Sequence, residues 1–494
     1  MNPIRALYDY PAARSDRPAL FDGDVTLTHG DLIARIEAAA GDLSARGVGA
    51  GDRVGLCARN SWRHVVAYLA ILRAGAVWTP LNPRNGARLN SDFQARANLS
   101  LTLIDAASVE AAGVSARPLA LEAWLDGAGA ATPPPIMDDP DAPFALKFTG
   151  GSTGLPKGVV QSQASAAAAL RSLQAFYEFT ADDVNLAVAP LTHGSSHYLL
   201  PVLAAGGAHV LLAEPDRAAI LRELKARVTT VFMPPTLIAL LMAEAEFQPH
   251  DFPRLRHLTY SAAPMSPDRI AQAIQRFGPV ISTLYGQTEA PMTIAGLSPG
   301  DMSDPEKRAS VGRLFADTPV RLLTPDGDLV ERGEGEIVVG GDLTRTHYLD
   351  APELTAASRQ DGWLKTGDIG RIGADGLLHL IGRSKDLIIT GGYNVYPGEV
   401  EAALNLHPMV REACAFSEPD DVWGERLEAA VAAAPDADAA AITAFVRDRI
   451  GPVRTPKRLH LLDALPRNPV GKVVRDDVRA LCRQIQTRPL EMAR

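Results

Sequence analysis

An α/β protein with largely parallel sheets, followed by a smaller α/β unit, is the fold class this sequence predicts, and three observations predict it. Short aliphatic or β-branched runs alternate with helical patterns as far as Glu289; beyond Val311 the rhythm changes to short β segments with turn signals; and past Lys385 the chain reads as a compact α/β unit of its own. The expected division is therefore 1–384, a large domain of parallel α/β layers plus a small β-barrel, and 385–494, a small domain.

In order, Thr28-His29-Gly30-Asp31-Leu32 starts a helix with Leu32, Ile33, Ile36, Ala40 and Leu43 on one side, ended by Gly47 and Gly49. Arg53 to Cys57 is strand-like, Val65 to Ala74 an apolar helix, and Ala76 to Leu81 another strand. Phe144 to Phe148 predicts a strand and the alanine-rich Ser162 to Leu173 a helix, so strand, loop, helix is the expected setting of the loop between them. The rhythm continues with strands at 184–190, 209–212 and 230–233 and helices at 198–204 and 217–227. Leu258 to Pro264 and Ile281 to Glu289 are strands that run out into loops of small or polar residues, where open α/β sheets carry their functional groups. Strands at 320–323 and 335–339, split by Pro325-Asp326-Gly327-Asp328, and a hairpin over 370–381 form the antiparallel part.

Composition narrows the function classes. With 49 Lys+Arg against 58 Asp+Glu the net charge is −9, which argues against a general nucleic-acid or anionic-membrane surface, so anionic ligands need local basic sites. The longest apolar runs, 65–72 and 199–213, are too short or too interrupted to span a bilayer. Cys57, Cys414 and Cys482 lie far apart and form no C-x-x-C pair, which suits a reducing compartment; the first ten residues hold no unbroken apolar stretch, so no signal peptide and a cytoplasmic location are expected. The Pro/Ala-rich 128–135 reads as a surface connection.

The stretch from Thr149 to Gly158 concentrates glycines, hydroxyls and a lysine beyond any folding need. Gly150, Gly151 and Gly154 let backbone N–H groups turn toward an anion, Ser152 and Thr153 add hydroxyl donors, and Lys157 supplies a point charge, as a phosphate cradle requires. Pro156 before the lysine and Gly158 after it break the spacing of the P-loop NTPases. His193 and His197 have a metal-like spacing, but no third ligand and no H-E-x-x-H accompany them.

Taken with Tyr285-Gly286-Gln287-Thr288-Glu289, Thr366-Gly367-Asp368, Gly382 to Asp386, Gly391 to Glu401 and Pro466 to Lys472, the cradle resembles the ordered core motifs of the adenylate-forming superfamily: acyl-CoA synthetases, nonribosomal adenylation domains and luciferases. The resemblance covers nearly the whole chain. It implies a two-step reaction: a carboxylic acid is activated by Mg·ATP as an acyl-adenylate with release of pyrophosphate, and a thiol or an amine then captures the acyl group. Adenylation makes chemical sense, because a carboxylate has no leaving group that a thiol can displace at neutral pH, and joining two anions is a problem of positioning and electrostatics.

By that resemblance Thr149 and the 150–158 loop hold the β- and γ-phosphates, Thr288 contacts the α-phosphate, Glu289 ligates Mg²⁺ and Tyr285, next to Gly286, stacks on adenine. Ala262, Ala263 and Pro264 line the adenine and acyl sites, Asp368 accepts the ribose hydroxyls, and Arg383 donates to ribose or phosphate. Lys472 bridges the carboxylate and the α-phosphate. Lys385 is the hinge on which the small domain reorients, and Gly391, Gly392 and Tyr393 line a thiol tunnel. His193 gates the acyl pocket, for which Tyr198, Tyr260, Ser261, Pro291 and Met292 are further candidates. The cradle opens Thr-Gly-Gly where many members have Thr-Ser-Gly, which removes one hydroxyl and leaves backbone capture intact.

No aspartate between His193 and Tyr198 awaits a substrate amine, so a fatty or aryl acid with a neutral tail is expected, with coenzyme A as acceptor. Three alternatives stand beside it: an amide synthetase that uses an amine, an adenylate supplier to a carrier protein, and a nucleotide-binding regulator without turnover, the last disfavoured because Lys472 and Glu289 are present. A homodimer is compatible with this reading.

Overall fold

The computed structural model describes residues 2–9, 15–129, 131–149, 156–214, 216–244, 247–261, 263–467 and 473–487. The chain divides into two compact units: Met1–Pro264, Ala271–Val320 and Val338–Leu364 in the first, and Met265–Ile270, Arg321–Ile337 and Lys365–Arg494 in the second.

The first unit carries two sheets. In the seven-stranded one, Pro143–Thr149, Val77–Leu81, Arg53–Cys57, Leu101–Ile104 and Pro118–Ala120 run parallel in that spatial order. Val77–Leu81 is buried at every position, as expected of a parallel strand covered on both faces. In the other sheet Ile281–Tyr285, His257–Tyr260, Thr230–Phe232, Val184–Ala187, Ala208–Leu211 and Pro18–Asp22 are parallel neighbours. Helices His29–Ala45 and Trp62–Arg73 supply Leu32, Ile36, Val65 and Leu69 to a core shared with Val54, Leu56 and Trp78. The start predicted at Thr28 is a full capping box: its side chain accepts from Asp31 N–H while Asp31 accepts from Thr28 N–H, a device worth about 1 kcal/mol.

One local expectation is corrected. The cradle loop joins not a strand to a helix but two antiparallel strands, Pro143–Thr149 and Lys157–Ser162, with Thr149 opposite Lys157. The β-branched pair Val159-Val160 keeps the chain extended for another six-residue strand before Ser162 caps the helix Gln163–Tyr177. A third strand, Thr346–Tyr348, pairs antiparallel with Lys157–Ser162 and sets Tyr348 opposite Val159.

In the second unit a five-stranded sheet has Tyr393–Val395, Ile388–Thr390, Gly424–Ala433 and Val410–Asp420 in order, with Arg458–Leu462 also on Gly424–Ala433. Helices Pro397–Asn405 and Ala439–Ile450 bury Val400, Leu404, Ile442 and Val446 against it. Strands Trp363–Ile372 and Leu377–Arg383 form an antiparallel pair, and Val320–Leu323 pairs with Leu329–Val330 across a turn at Gly327. Among the described residues no helix is long and apolar enough to cross a membrane.

Candidate active site

In the first unit the site is built where the three-stranded ribbon meets the loop after Ile281–Tyr285. Gln161 Nε2 donates to the Thr288 carbonyl at 2.8 Å, and Thr346 Oγ1 donates to the Glu289 carbonyl at 2.9 Å. These two bonds fix the backbone of Thr288 and Glu289 from neighbouring strands, leaving both side chains partly exposed. Tyr348 Oη donates to Glu289 Oε1 at 2.8 Å. Lys157 Nζ lies 5.5 Å from the centroid of the same phenol ring, so a lysine at the end of the cradle and a carboxylate share one tyrosine. The Tyr348 hydroxyl is pushed well above its ordinary pKa, first by burial and then by the Glu289 charge; it stays a proton donor.

Tyr285 ends its strand buried, opposite Ala295. Gly286 is required by close approach: a Cβ there would sit 2.4 Å from Met292 N, where the loop folds back with Met292 at φ +62°. Gly286→Ala is expected to destabilise the protein by about 1–3 kcal/mol and to displace Thr288 and Glu289. A lowered urea midpoint together with weakened nucleotide binding checks this.

Desolvation and then the positive charges of Lys147 and Arg84 lower the pKa of His193, although the residue is exposed; its Nδ1 lies 2.9 Å from Thr192 Oγ1. It is therefore a neutral imidazole at physiological pH. Ala263 and Pro264 are exposed after His257–Tyr260, and Ser261 Oγ donates to the Leu284 carbonyl at 2.7 Å. Tyr198 is committed to a buried hydroxyl chain with Tyr177 and Thr259. Gly150, Gly151, Ser152, Thr153, Gly154, Ala262 and Lys472 lie outside the described residues.

In the second unit strand register sets Asp368 opposite Arg383, whose Nε is 3.0 Å from Asp368 Oδ1. Asp368 is 6% exposed, Thr366 Oγ1 accepts from its N–H at 3.1 Å, and Gly367, at φ +72°, donates its N–H to Glu336 Oε1 at 2.9 Å. Lys385 stands exposed in the turn Ser384–Asp386, its pKa lowered mainly by desolvation. Arg475, at the start of the last helix, ion-pairs with Asp386 and with Glu401, the latter at 2.9 Å. Gly391 and Gly392, at φ +58° and +80°, turn the hairpin that presents Tyr393, 59% exposed.

Sequence reasoning missed Gln161, Thr346, Tyr348 and Glu336. Each acts through a partner far along the chain, and only strand register brings the pair together.

Comparison with known proteins fits this geometry. The model for "AMP-binding enzyme" matches residues 7–349 and that for "AMP-binding enzyme C-terminal domain" matches 399–472. A medium/long-chain-fatty-acid–CoA ligase of Mycobacterium tuberculosis is 34% identical, over 94% of this chain and 87% of its own. A feruloyl-CoA synthase of an Amycolatopsis species is 32% identical over 97% of both. The amide bond synthetase McbA of Marinactinospora thermotolerans superposes with a TM-score of 0.86 at 29% identity, covering 97% of this chain and 99% of that one. With two family models matched in order and relatives alike along nearly its whole length, the chain belongs to the AMP-binding, adenylate-forming enzymes.

Proposed function

We propose that this protein is an AMP-forming acid–thiol ligase that activates a fatty or aryl carboxylic acid with ATP and passes it to coenzyme A. The observation that carries the reading is the Lys157–Tyr348–Glu289 constellation, which holds a phosphate-binding lysine and a carboxylate at the base of the cradle loop. The M. tuberculosis fatty-acid ligase and the Amycolatopsis feruloyl enzyme support the acid class and the acceptor.

The chemistry follows in two displacements. An oxygen of the substrate carboxylate attacks the α-phosphorus, the bond to the β-phosphate oxygen breaks, and pyrophosphate leaves. The coenzyme A thiol, losing its proton, then attacks the acyl carbon and AMP leaves. Lys157 and the cradle N–H groups hold the leaving pyrophosphate, Thr288 the α-phosphate, and Asp368 with Arg383 the ribose.

Glu289 fits Mg²⁺. One oxygen is tied to Tyr348, and the other, without a partner among the described residues, is the hard ligand that cation prefers. Among the described residues no group of three or more His, Cys, Asp or Glu could hold a metal, so the partners for Mg²⁺ would be this carboxylate and substrate phosphates. When bound, Mg²⁺ neutralises charge on the phosphate chain.

McbA supports a second reading, in which an amine takes the place of the thiol. Pyrophosphate release across fatty, aryl and amino acids, each with coenzyme A, with a simple amine and with neither, separates them. A thioester mass with stimulation by coenzyme A is expected; amide formation without coenzyme A would transfer the assignment to the amine.

We also assign Lys385 as the pivot between the two half-reactions. Lys385→Pro fixes φ in the turn and is expected to lower thioester formation at least about tenfold more than adenylation. Equal effects on the two half-reactions would refute it. Three buried free cysteines, Cys57, Cys414 and Cys482, support placing this activity in a reducing, cytoplasmic setting.

A further inference from the structure

Two residues before the cradle, on the same face of Pro143–Thr149 as Thr149, stands Lys147. Half-buried, its ammonium reaches His197, whose Nε2 is 3.0 Å from Lys147 Nζ, and it lies 5.2 Å from the centroid of the Trp78 ring. His197 follows His193 by four residues in the turn Gly194–Tyr198, and the Lys147 charge reaches both imidazoles. Among the described residues, the groups the structure sets against it or its histidines are basic or neutral: His193, His197, Arg84 near His193, and the indole. Among the described residues no carboxylate pairs with Lys147.

A cation partly withdrawn from water without a counter-charge is costly to keep. Desolvation pushes the Lys147 ammonium down to a pKa of about 7, and burial with the adjacent cation keeps His197 neutral, so its Nε2 accepts from the lysine. A second, independent observation points the same way. Trp78 Nε1 and Ser195 Oγ are buried with no hydrogen-bond partner among the described residues, and both can donate. The Trp78 ring lies beneath the lysine, and Ser195 belongs to the same short turn as His197. An unpaired cation against a buried, unsatisfied indole, with a second unsatisfied donor in the turn that carries its histidine partner, describes a site suited to an anionic acceptor.

We propose that Lys147, with His197, Trp78 and Ser195, forms a subsite that recognises a second anionic oxygen group on the acid substrate, so that the preferred acids are dicarboxylates rather than acids with a neutral tail. This deepens the ligase reading and rests on it for the location of the acyl pocket beside His193. One carboxylate goes to the α-phosphate; the other takes the place of the missing counter-ion. Binding then restores the full charge of Lys147, so an anion-tailed acid is taken up with a proton when the pH stands near or above that of the half-charged lysine. His193, His197 and Arg84 are the other titratable groups facing the site; the histidines remain neutral across that range.

The test compares acids matched in length that differ only in a terminal carboxylate or methyl group, in aliphatic and aryl pairs. Acid-dependent pyrophosphate release gives the kcat/KM ratio for each pair, and calorimetry at pH 7.5 in two buffers of different ionisation enthalpy gives proton uptake without turnover. The wild type is expected to favour the carboxylate-tailed member at least about tenfold and to take up a fraction of a proton with it alone. Lys147→Met is expected to lower the ratio by roughly 10- to 100-fold, and Lys147→Arg to retain most of it.

A wild type that favours the methyl-tailed member, or a ratio unmoved in a folded Lys147→Met, would overturn the inference while leaving the ligase standing. Binding of the dicarboxylate with proton uptake but no pyrophosphate release would uphold the subsite and remove the ligase reading. If Lys147→Met does not fold, the wild-type ratio and proton uptake decide alone.

Discussion

Lys472→Ala is expected to slow adenylation by roughly 10²- to 10³-fold while transfer to coenzyme A from supplied acyl-adenylate falls by less than about tenfold. The asymmetry is the point of the prediction. A lysine between two anions stabilises the charge that develops when carboxylate oxygen approaches the α-phosphorus, and that approach occurs only in the first half-reaction. A lysine that merely supported the fold would depress both half-reactions together. Acid-dependent pyrophosphate release and single-turnover thioester formation, measured on the same preparation, separate the two, and equal losses would refute the assignment.

Glu289→Gln is the second large effect. The amide keeps the size of the side chain and can still accept from Tyr348 Oη, now 2.8 Å from Glu289 Oε1, but it removes the negative charge on which the proposed Mg²⁺ site depends. Adenylation is expected to fall roughly 10²-fold, with a higher Mg²⁺ concentration needed for half-maximal rate. Tyr348→Phe removes one hydrogen bond to a charged group and leaves the carboxylate, so a smaller loss is expected, about tenfold, partly recovered by added Mg²⁺. A Mg²⁺ titration of the three proteins orders them. If Glu289→Gln titrates like the wild type, Glu289 is not the ligand.

Much of this architecture is legible in the residues because the signals are local. Thr28 and Asp31 form their capping box three residues apart, and the Arg53–Cys57 strand ends where the pattern ends. The end of the helix after Ser162 is less legible: its alanine run suggests an end near Leu173, but Phe176 and Tyr177 continue it, Phe176 in contact with His257 and Phe315, to a left-handed cap at Glu178. Local propensity also misses the hairpin at the cradle, since Val159 and Val160 adjoin a glycine-rich loop and read as part of it.

The site divides along the same line. Residues inside short motifs, such as Thr288, Glu289, Asp368 and Arg383, are the ones that sequence alone puts forward. Their supports cannot: Gln161 holds Thr288 from 127 positions away and Tyr348 holds Glu289 from 59. Lys147 is the sharpest case. In the sequence it is one polar residue within a strand pattern; the fold brings it to His197, 50 positions on, and the proposed anionic subsite rests on that placement.

The account stands or falls on carboxylate adenylation, and acid-dependent exchange of labelled pyrophosphate into ATP, with no acceptor present, measures that step alone. Exchange is expected to require both Mg²⁺ and one class of carboxylic acid, to fall by roughly 10²- to 10³-fold in Lys472→Ala, and to give way to AMP accumulation once coenzyme A is added. ATP binding without exchange for any acid, or turnover to ADP and phosphate, would contradict it.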